Sequence, residues 1–334
     1  MEMYHKPVLL EESIIGLRIN PNGIYVDATF GGGGHSKEIL SQLNSSGRLI
    51  AFDQDQDAIE NKLLDKRLNL VKSNFKYLSN YLNYFHIKKI DGLLADFGIS
   101  SHQIDSERRG FSTRFDSELD MRMNNSQKTD AKEVINDYKK DQLEYIFKNL
   151  GELKNYRKIT HIIISERKNK EIKSTNDLKN ILSSLTNSKE ENKFFAKIFQ
   201  AIRIEVNDEL EVIKTLLDKS SKYLKKGGRL VCISYHSLED RLVKKFIQNG
   251  GFRNETSSDL YGNKNLNLIK IGKMITPSEN EILINTSSRI NLFRGIFRFL
   301  HSFSLQDARY FSKFNICGLE FFNFIFFQTS SALT

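Results

Sequence analysis

Cysteine is scarce in this sequence, which has only Cys232 and Cys317 among its 334 residues. So few thiols exclude a disulfide framework and a cysteine-rich zinc site. They also suit a reducing compartment, so we expect the protein to work in the cytoplasm. We predict no metal site anywhere in the chain.

Long hydrophobic runs are absent as well. The N-terminal stretch "MEMYHKPVLLEES" has no extended apolar segment, so we expect no signal peptide. No segment reaches the roughly 18 apolar residues that a membrane-spanning helix needs, and the nearest, "FFNFIFFQTSSALT", is short and partly polar. We therefore expect no membrane partner.

Charge is plentiful and unbalanced. The chain has 50 Lys and Arg residues against 41 Asp and Glu, a formal net charge of +9 at pH 7. A basic balance favours an acidic partner, most often nucleic acid, although many basic proteins bind nothing acidic. The charge alone leaves both interpretations open.

The first hundred residues alternate strand-like and helix-like segments, which indicates βαβ units and a parallel sheet. The predicted strands are "GIYVDATF" (23–30), "GRLIAFD" (47–53), "LNLVKSNF" (68–75), "IDGLLADFGIS" (90–100) and, much later, "GRLVCISYH" (228–236). Ligand sites in such sheets lie beyond the carboxyl ends of the strands.

Residues 106–200 read differently, as amphipathic helices without intervening strands. One long helix, broken or continuous, then extends from 193 to Gly227-Gly228, and residues 266–275 and 281–289 are candidate late strands. We therefore predict a discontinuous sheet domain (1–105 and 201–289), a helical substrate-recognition insert (106–200) and an atypical tail (290–334). That tail holds 11 of the 24 phenylalanines.

Four glycines follow the first strand in "YVDATFGGGGHS". A strand, a glycine-rich turn and a helix N-terminus allow backbone N–H groups to approach a ligand closely. Asp53 ends the second strand 22 residues after Gly31, where an acid commonly holds ribose hydroxyls. The run contains no G-x-G-x-x-G, because position 36 is Ser36, which favours S-adenosylmethionine (AdoMet) over NAD.

Asp96 ends the fourth strand in "ADFGISSHQ", where a carboxylate would face cofactor and substrate. His236 ends the fifth strand and is a second candidate catalytic group, although a structural histidine is an equal alternative. Methylation of a pyrimidine carbon 5 requires a covalent thiolate, and neither cysteine suits that role. An amino nitrogen needs only to be positioned, because its lone pair attacks the methyl group directly.

The stretch "RRGFSTRFDSELDMRMN" (108–124) mixes arginines with aromatic residues. Arginine pairs with phosphate and aromatic rings stack on bases, so Arg109, Phe111 and Arg122 are candidate RNA contacts. The acids among them leave a self-paired loop as the alternative. Arg203 and Arg241 are further candidate substrate contacts.

Several motifs together resemble the RsmH (MraW) family, from about residue 5 to 289. The motifs are "HKPVLLEES", "DATFGGGGHS", "DFGISSHQID", "RGFS", "LDMRM", "FQAIRIEVNDEL", "GGRLVCISYHSLEDR" and "ITPSENE". The resemblance implies an α/β fold, a class I (Rossmann-like) AdoMet methyltransferase sheet with an inserted α-helical domain. It also implies AdoMet-dependent methylation of the exocyclic N4 of a cytidine in 16S ribosomal RNA.

The resemblance further implies cofactor contacts, carried over to matching positions of this chain. These are Gly33, Gly34, His35, Asp53, Phe75, Asp96 and Gln103. The expected partner is 16S rRNA within the small ribosomal subunit, and the oligomeric state is open, with a homodimer as one alternative. His102 stands where many members have proline, which alters the loop before Gln103.

The chain departs from the family pattern after Arg289, where a short terminal strand is expected. "INLFRGI" (290–296) is a candidate replacement strand. Because of this ending, a catalytically impaired RNA-binding assembly factor stays open as an alternative function. A Rossmann oxidoreductase is a third hypothesis, which the missing third glycine disfavours.

Overall fold

The computed structural model describes residues 7–252, 268–284 and 296–302, and its centre is a seven-stranded sheet. The strands are β1 (Ile24–Asp27), β2 (Arg48–Asp53), β3 (Leu68–Lys72), β4 (Ile90–Asp96), β5 (Leu224–Ser234), β6 (Leu268–Ile275) and β7 (Ile296–Ser302). They lie in the order β3-β2-β1-β4-β5-β7-β6. Strands β1 to β5 are parallel to one another, whereas β7 is antiparallel to both β5 and β6.

The strand order reverses between β1 and β4, which pair directly although β2 and β3 separate them along the chain. In open parallel sheets, ligands bind outside the carboxyl ends of the strands at such a reversal. The predicted α/β class with a parallel five-stranded core is therefore confirmed. The reversal also places the glycine-rich turn after β1 beside the ends of β2 and β4.

Helices follow most strands and cover both faces of the sheet. The helices are α1 (Leu10–Leu17), α2 (Gly34–Gln42), α3 (Gln56–Glu60), α4 (Leu78–Tyr84), α5 (Ser101–Asp105), α6 (Ala131–Asp137), α7 (Lys140–Tyr145), α8 (Tyr156–Glu166), α9 (Thr175–Leu182), α10 (Glu191–Asn207), α11 (Glu209–Tyr223), α12 (Ser237–Asn249) and α13 (Glu279–Ile284). Within the described ranges, none of them is long and apolar enough to cross a bilayer.

Strand side chains alternate between two hydrophobic cores, because successive residues of a strand point to opposite faces. In β2, Leu49 and Ala51 join the core formed with α1 and α2. Ile50 and Phe52 join the opposite core, formed with α4, α11 and α12. Burial on both faces explains why the parallel strands are almost continuously apolar.

A third core belongs to helices α6 to α10, with a π-helical turn at Ile146–Leu150. Its buried side chains run from Phe111 to Val206. Helix α10 continues through residue 200 and packs in this core along most of its length. We therefore propose that the helical unit extends to the end of α10, beyond the boundary at 200 suggested by the sequence.

Three local predictions need correction. The long helix predicted from 193 is broken at Asp208 (φ 51°), one of the two alternatives expected, but it ends at Tyr223 and not at Gly227-Gly228, because residues 224–228 already belong to β5. The predicted strand at 281–289 begins instead in helix α13, where the Glu281 carboxylate accepts a hydrogen bond from the Leu9 N–H (2.6 Å). The rest of that stretch lies outside the described residues.

The replacement strand also lies further along the chain than predicted. "INLFRGI" falls outside the described residues except for Ile296, which begins β7, and the strand is formed by "IFRFLHS". Strand β7 pairs with β5 at six positions and with β6 at five. Part of the atypical ending therefore joins β6 to the rest of the sheet.

Two truncations test this role of β7. A chain ending at Ser302 keeps every strand and should melt close to the full chain. A chain ending at Gly295 leaves β5 and β6 without their shared partner, so it should become insoluble or melt lower by about 10 °C or more. Calorimetry and the soluble yield measure the difference, and equal melting of the two truncations would show that β7 adds no stability.

Candidate active site

Three carboxylates mark the carboxyl ends of neighbouring strands. Asp27 ends β1, Asp53 ends β2 and Asp96 ends β4. The register pairs Asp27 with Ala51 on one side and with Leu94 on the other, so Asp53 and Asp96 each lie two residues further along. The sequence predicted Asp53 and Asp96 at this edge, and the fold brings them to either side of Asp27.

The glycine-rich turn closes over this edge. The Gly31 N–H donates to Asp53 Oδ2 (2.8 Å), and both Gly31 (φ 52°) and Gly33 (φ 76°) have a left-handed backbone. A Cβ atom at Gly33 would lie 2.8 Å from the Phe30 ring, and one at Gly34 would lie 2.2 Å from Pro7. A Cβ atom at Gly31 would meet nothing within 4 Å, so this glycine faces open space.

Burial raises the pKa of all three carboxyl groups. The pKa of Asp27 rises to about 6, although the Ser36 hydroxyl donates to it at 2.6 Å. The pKa of Asp53 also rises to about 6, and that of Asp96 rises to about 8. Asp27 adds to the last two shifts through like-charge repulsion.

No Lys or Arg among the described residues forms an ion pair with these three carboxylates. A basic group that does approach them is His35, whose Nδ1 lies 3.9 Å from Asp96 Oδ2. Burial lowers the pKa of His35 to about 4, so the imidazole is neutral near pH 7. Within the part of the chain that the structure describes, the edge therefore carries negative potential without a counter-charge, which favours a cationic ligand.

His35 Nε2 and Asp96 Oδ1 are buried polar atoms at this edge that have no hydrogen-bond partner among the described residues. Buried polar groups are nearly always bonded, so unpartnered atoms in a site call for a ligand. AdoMet fits, because its sulfonium and ammonium groups are cationic and its donors and acceptors are polar. The open space above Gly31 is consistent with the same ligand.

Asp96 is held in place by two neighbouring strands. Its N–H donates to Thr29 Oγ1 (2.8 Å), and the Tyr235 hydroxyl donates to its carboxylate. The Tyr235 ring also lies against the next loop, since a Cβ atom at Gly98 would lie 3.1 Å from it. Thr29 thus holds the Asp96 backbone, and Tyr235 holds the carboxylate.

His236, the second predicted catalytic residue, is buried one residue further on. Its Nε2 lies 3.2 Å from Glu239 Oε1, and Glu239 Oε2 accepts from the backbone N–H of Tyr235 (2.7 Å). Burial alone would raise the pKa of Glu239, but His236 and Arg203 outweigh it and lower that pKa. His236 therefore helps to hold the turn that presents Tyr235.

Glu209, His236 and Glu239 bring ligand atoms within 4.8 Å of one another, as a metal site would. Arg203, however, already binds both oxygens of Glu209, at 2.8 and 3.0 Å. Burial would lower the pKa of Arg203, but Glu209 and Glu239 raise it. Because the arginine supplies the cation of this cluster, we propose no metal here.

Another buried network begins at the second strand. The Asp55 N–H donates to Asp53 Oδ1 (2.9 Å), and the Asp55 carboxylate accepts from Arg109 Nη1 (2.9 Å) and from Gln103 Nε2 (2.6 Å). Arg109 also donates to the Arg122 carbonyl (2.8 Å). Arg109 thus ties the loop that carries Asp53 to the start of the helical unit.

Phe75 and Gln103, the predicted cofactor residues beyond the glycine turn, have different environments. Phe75 follows β3 and lies 6.5 Å from Phe97 between ring centroids, with part of its ring exposed. Gln103 is buried, and both ends of its amide are bonded within the protein, to Asp55 and to the Ser100 N–H (3.1 Å). Contact of either side chain with cofactor stays a prediction.

The predicted substrate residues separate into buried and exposed groups. Arg109, Phe111 and Arg203 are enclosed, so their side chains do not present themselves to RNA, and we assign them supporting roles instead. Arg122 pairs with Asp120 at 2.8 Å, as the self-paired alternative expected. Arg241 is exposed and binds Glu152 at 2.6 Å.

Sequence reasoning missed Asp27, Thr29, Tyr235 and Glu239 as members of the site. Asp27 carried a usable signal, because it ends a buried strand immediately before the glycine turn. Tyr235 carried none that was independent of the fold, because its partner Asp96 is distant in the sequence. Glu239 carried a local signal, because it lies three residues after His236 in a capping arrangement at the start of α12.

Comparison with known proteins identifies close relatives. The model of the MraW methylase family matches residues 2–298. The ribosomal RNA small subunit methyltransferase H of Christiangramia forsetii is 53% identical over 286 residues, which cover 86% of this chain and 95% of that protein. The protein of the same name from Flavobacterium johnsoniae is 51% identical with the same coverage.

A solved rRNA methylase from Streptococcus thermophilus is a more distant match. It is 10% identical with a TM-score of 0.40, over 90% of this chain and 98% of that one. Nothing further is built on so remote a likeness.

The substitution Gly31→Asn tests whether the ligand occupies the open space above the glycine turn. Asparagine tolerates a left-handed backbone better than most residues, so the fold should lose only about 1 kcal/mol of stability. The side chain would enter the ligand space, and AdoMet affinity by calorimetry should fall at least about tenfold, or about 1.4 kcal/mol.

The matched control is Gly272→Asn, because Gly272 in β6 also has a left-handed backbone (φ 65°) and open space. That variant should bind AdoMet as the unmodified chain does. Equal affinities of the two variants would exclude ligand from the space above Gly31.

Replacing Asp96 with asparagine tests its raised pKa through stability. Between pH 3.8 and about 8 the folded state retains a proton that the unfolded state releases, so the stability of the unmodified chain falls as pH rises. The asparagine side chain cannot ionise, so the stability of the variant lacks this fall with rising pH. The melting temperature of Asp96→Asn minus that of the unmodified chain should therefore increase from pH 5 to pH 8, by about 2 °C or more.

The control for this experiment is Asp137→Asn, which removes an exposed carboxyl group of α6. Its difference from the unmodified chain should be the same at both pH values. A pH-independent difference for Asp96→Asn would mean that this carboxyl group ionises normally.

Proposed function

Since the chain belongs to the MraW methylase family, we propose that it methylates the exocyclic N4 of a cytidine in the 16S RNA of the small ribosomal subunit. It is an AdoMet-dependent rRNA methyltransferase, as its relatives are. The observation that carries the N4 proposal is Asp96, a strand-end carboxylate with one oxygen that has no hydrogen-bond partner among the described residues. An impaired assembly factor is not favoured.

AdoMet supplies an electrophilic methyl group on a sulfonium sulfur. Within the protein, the turn at Gly31 to His35 would hold the methionine end, and Asp53 would bind the ribose hydroxyls. Phe75 would provide the aromatic surface for adenine. These roles fit the uncompensated negative potential of the edge, which the positive charges of the cofactor would neutralise.

Asp96 is proposed to orient the target amino group. Its free Oδ1 would accept one N–H of the amine, which aims the nitrogen lone pair along the line of transfer. Tyr235 holds the carboxylate and Thr29 holds the backbone of Asp96, so positioning supplies the main effect. Ionised Asp96 is also a suitable acceptor for the proton that nitrogen releases, because its pKa is near 8 in the absence of ligand.

His236 was a candidate for that proton. Its burial and its contact with Glu239 favour a positioning role, because the imidazole holds Glu239 and Glu239 holds the turn at Tyr235. We therefore propose Asp96 as the catalytic residue and His236 as a positioning residue.

The target base must leave its stack before the amine reaches Asp96. We propose that the sheet edge and the helical unit receive the extruded base, with the assembled small subunit of the cytoplasm as the physiological partner.

A direct assay tests this function. Small subunits from cells that lack the enzyme would be incubated with the protein and AdoMet, and their RNA would be digested to nucleosides. Mass spectrometry should detect N4-methylcytidine, and Asp96→Asn should reduce its formation at least about a hundredfold. The Asp137→Asn protein should retain full activity. Another methylated nucleoside in place of N4-methylcytidine would overturn the proposed target atom.

A further inference from the structure

A basic and aromatic surface lies on the helical unit, outside the site described above. It consists of Lys148, Lys154, Tyr156, Arg157 and Lys158, and is called here the Tyr156 patch. All four of its cationic residues are exposed, while Tyr156 is half-buried. Lys148 and Arg157 both lie against the Tyr156 ring, at 5.7 and 5.5 Å from its centroid.

The cations of the Tyr156 patch have no carboxylate partner among the described residues. Other lysines of the same helical unit do form ion pairs, including Lys170 with Asp177 (3.1 Å) and Lys173 with Glu171 (3.4 Å). Four unpaired cations on a segment of 11 residues repel one another, and an anion bound between them would relieve that repulsion.

The Tyr156 patch is fastened beside the catalytic edge by Glu152. Glu152 accepts from the Ser237 hydroxyl and from Arg241, both at 2.6 Å, at the start of α12. It does so from a left-handed backbone (φ 49°), a strained conformation for a residue other than glycine. Ser237 follows Tyr235 by two residues, so this anchor lies within about 7 Å along the chain of the residue that holds Asp96.

We propose that the Tyr156 patch is the docking surface for the ribosomal RNA strand that flanks the target nucleotide. The proposal rests on the proposed function, which requires RNA at this edge. Lysine and arginine would bind phosphates, and the exposed part of Tyr156 would stack on an unpaired base. Extrusion of the target base leaves such unstacked neighbours.

An acidic protein is the competing occupant, and the patch favours RNA over it. Two cations that lie against an aromatic ring match alternating phosphates and bases, whereas an acidic peptide needs only the charges. Glu152, which lies two residues before Lys154, also ties this segment to Ser237 and Arg241 at the start of α12.

The test compares two double variants with equal loss of charge. Lys154→Gln/Arg157→Gln removes two cations of the Tyr156 patch, and Lys170→Gln/Lys173→Gln removes two paired cations elsewhere on the helical unit. Binding to purified small subunits is measured without AdoMet over a range of salt concentrations. The patch variant should bind at least about tenfold more weakly, with a salt slope reduced by about 1.4.

The control variant should bind like the unmodified chain, and AdoMet affinity should be unchanged in both. Equal binding by the two variants would overturn the proposal, as would competition by polyglutamate that matches competition by RNA at equal charge. Because binding is measured without methyl transfer, a loss confined to the patch variant supports docking even if no N4-methylcytidine forms. Methylation with unaffected docking would instead leave the proposed function intact and reject the patch.

Discussion

Burial of three carboxylates at one edge of the sheet is the constraint on which the rest of the site depends. Asp27, Asp53 and Asp96 each have a raised pKa, and none has a Lys or Arg ion-pair partner among the described residues. Keeping them together costs stability as pH rises towards 8. Such an arrangement is consistent with a cationic ligand that supplies the missing charge, and AdoMet is such a ligand.

Neutral donors contact the three carboxylates directly, whereas arginines act on them only through a neighbouring acid. Backbone N–H groups, the Ser36 hydroxyl and the Tyr235 hydroxyl contact the three groups, while the arginines bind other acids nearby. Arg109 binds Asp55, which in turn binds Asp53, and Arg203 binds Glu209 beside Glu239. These two arginine ion pairs therefore hold the loops around the site. Because the arginines bind other acids, the space for the ligand keeps its negative potential.

Much of the sheet and part of the site could be predicted from the sequence. Asp53 and Asp96 were found because acids at the ends of apolar strands must meet at one edge of a parallel sheet. Tyr235 and Arg109 could not be placed, since their partners Asp96 and Asp55 are 139 and 54 residues away. The shift of the last strand to 296–302 was missed because pairing register depends on the neighbouring strands.

The sequence also does not distinguish the basic residues that stabilise the fold from the basic residues that are available to RNA. A net charge of +9 says nothing about which cations are free. Arg109 and Arg203 form ion pairs with Asp55 and Glu209 inside the protein. Both arginines stand in motifs that carry the family resemblance. The Tyr156 patch stands outside those motifs and keeps its cations unpaired among the described residues. We therefore expect recognition of RNA to depend on charges that the fold does not use, while the acids of the sheet edge are proposed to serve the cofactor and, at Asp96, the target amine.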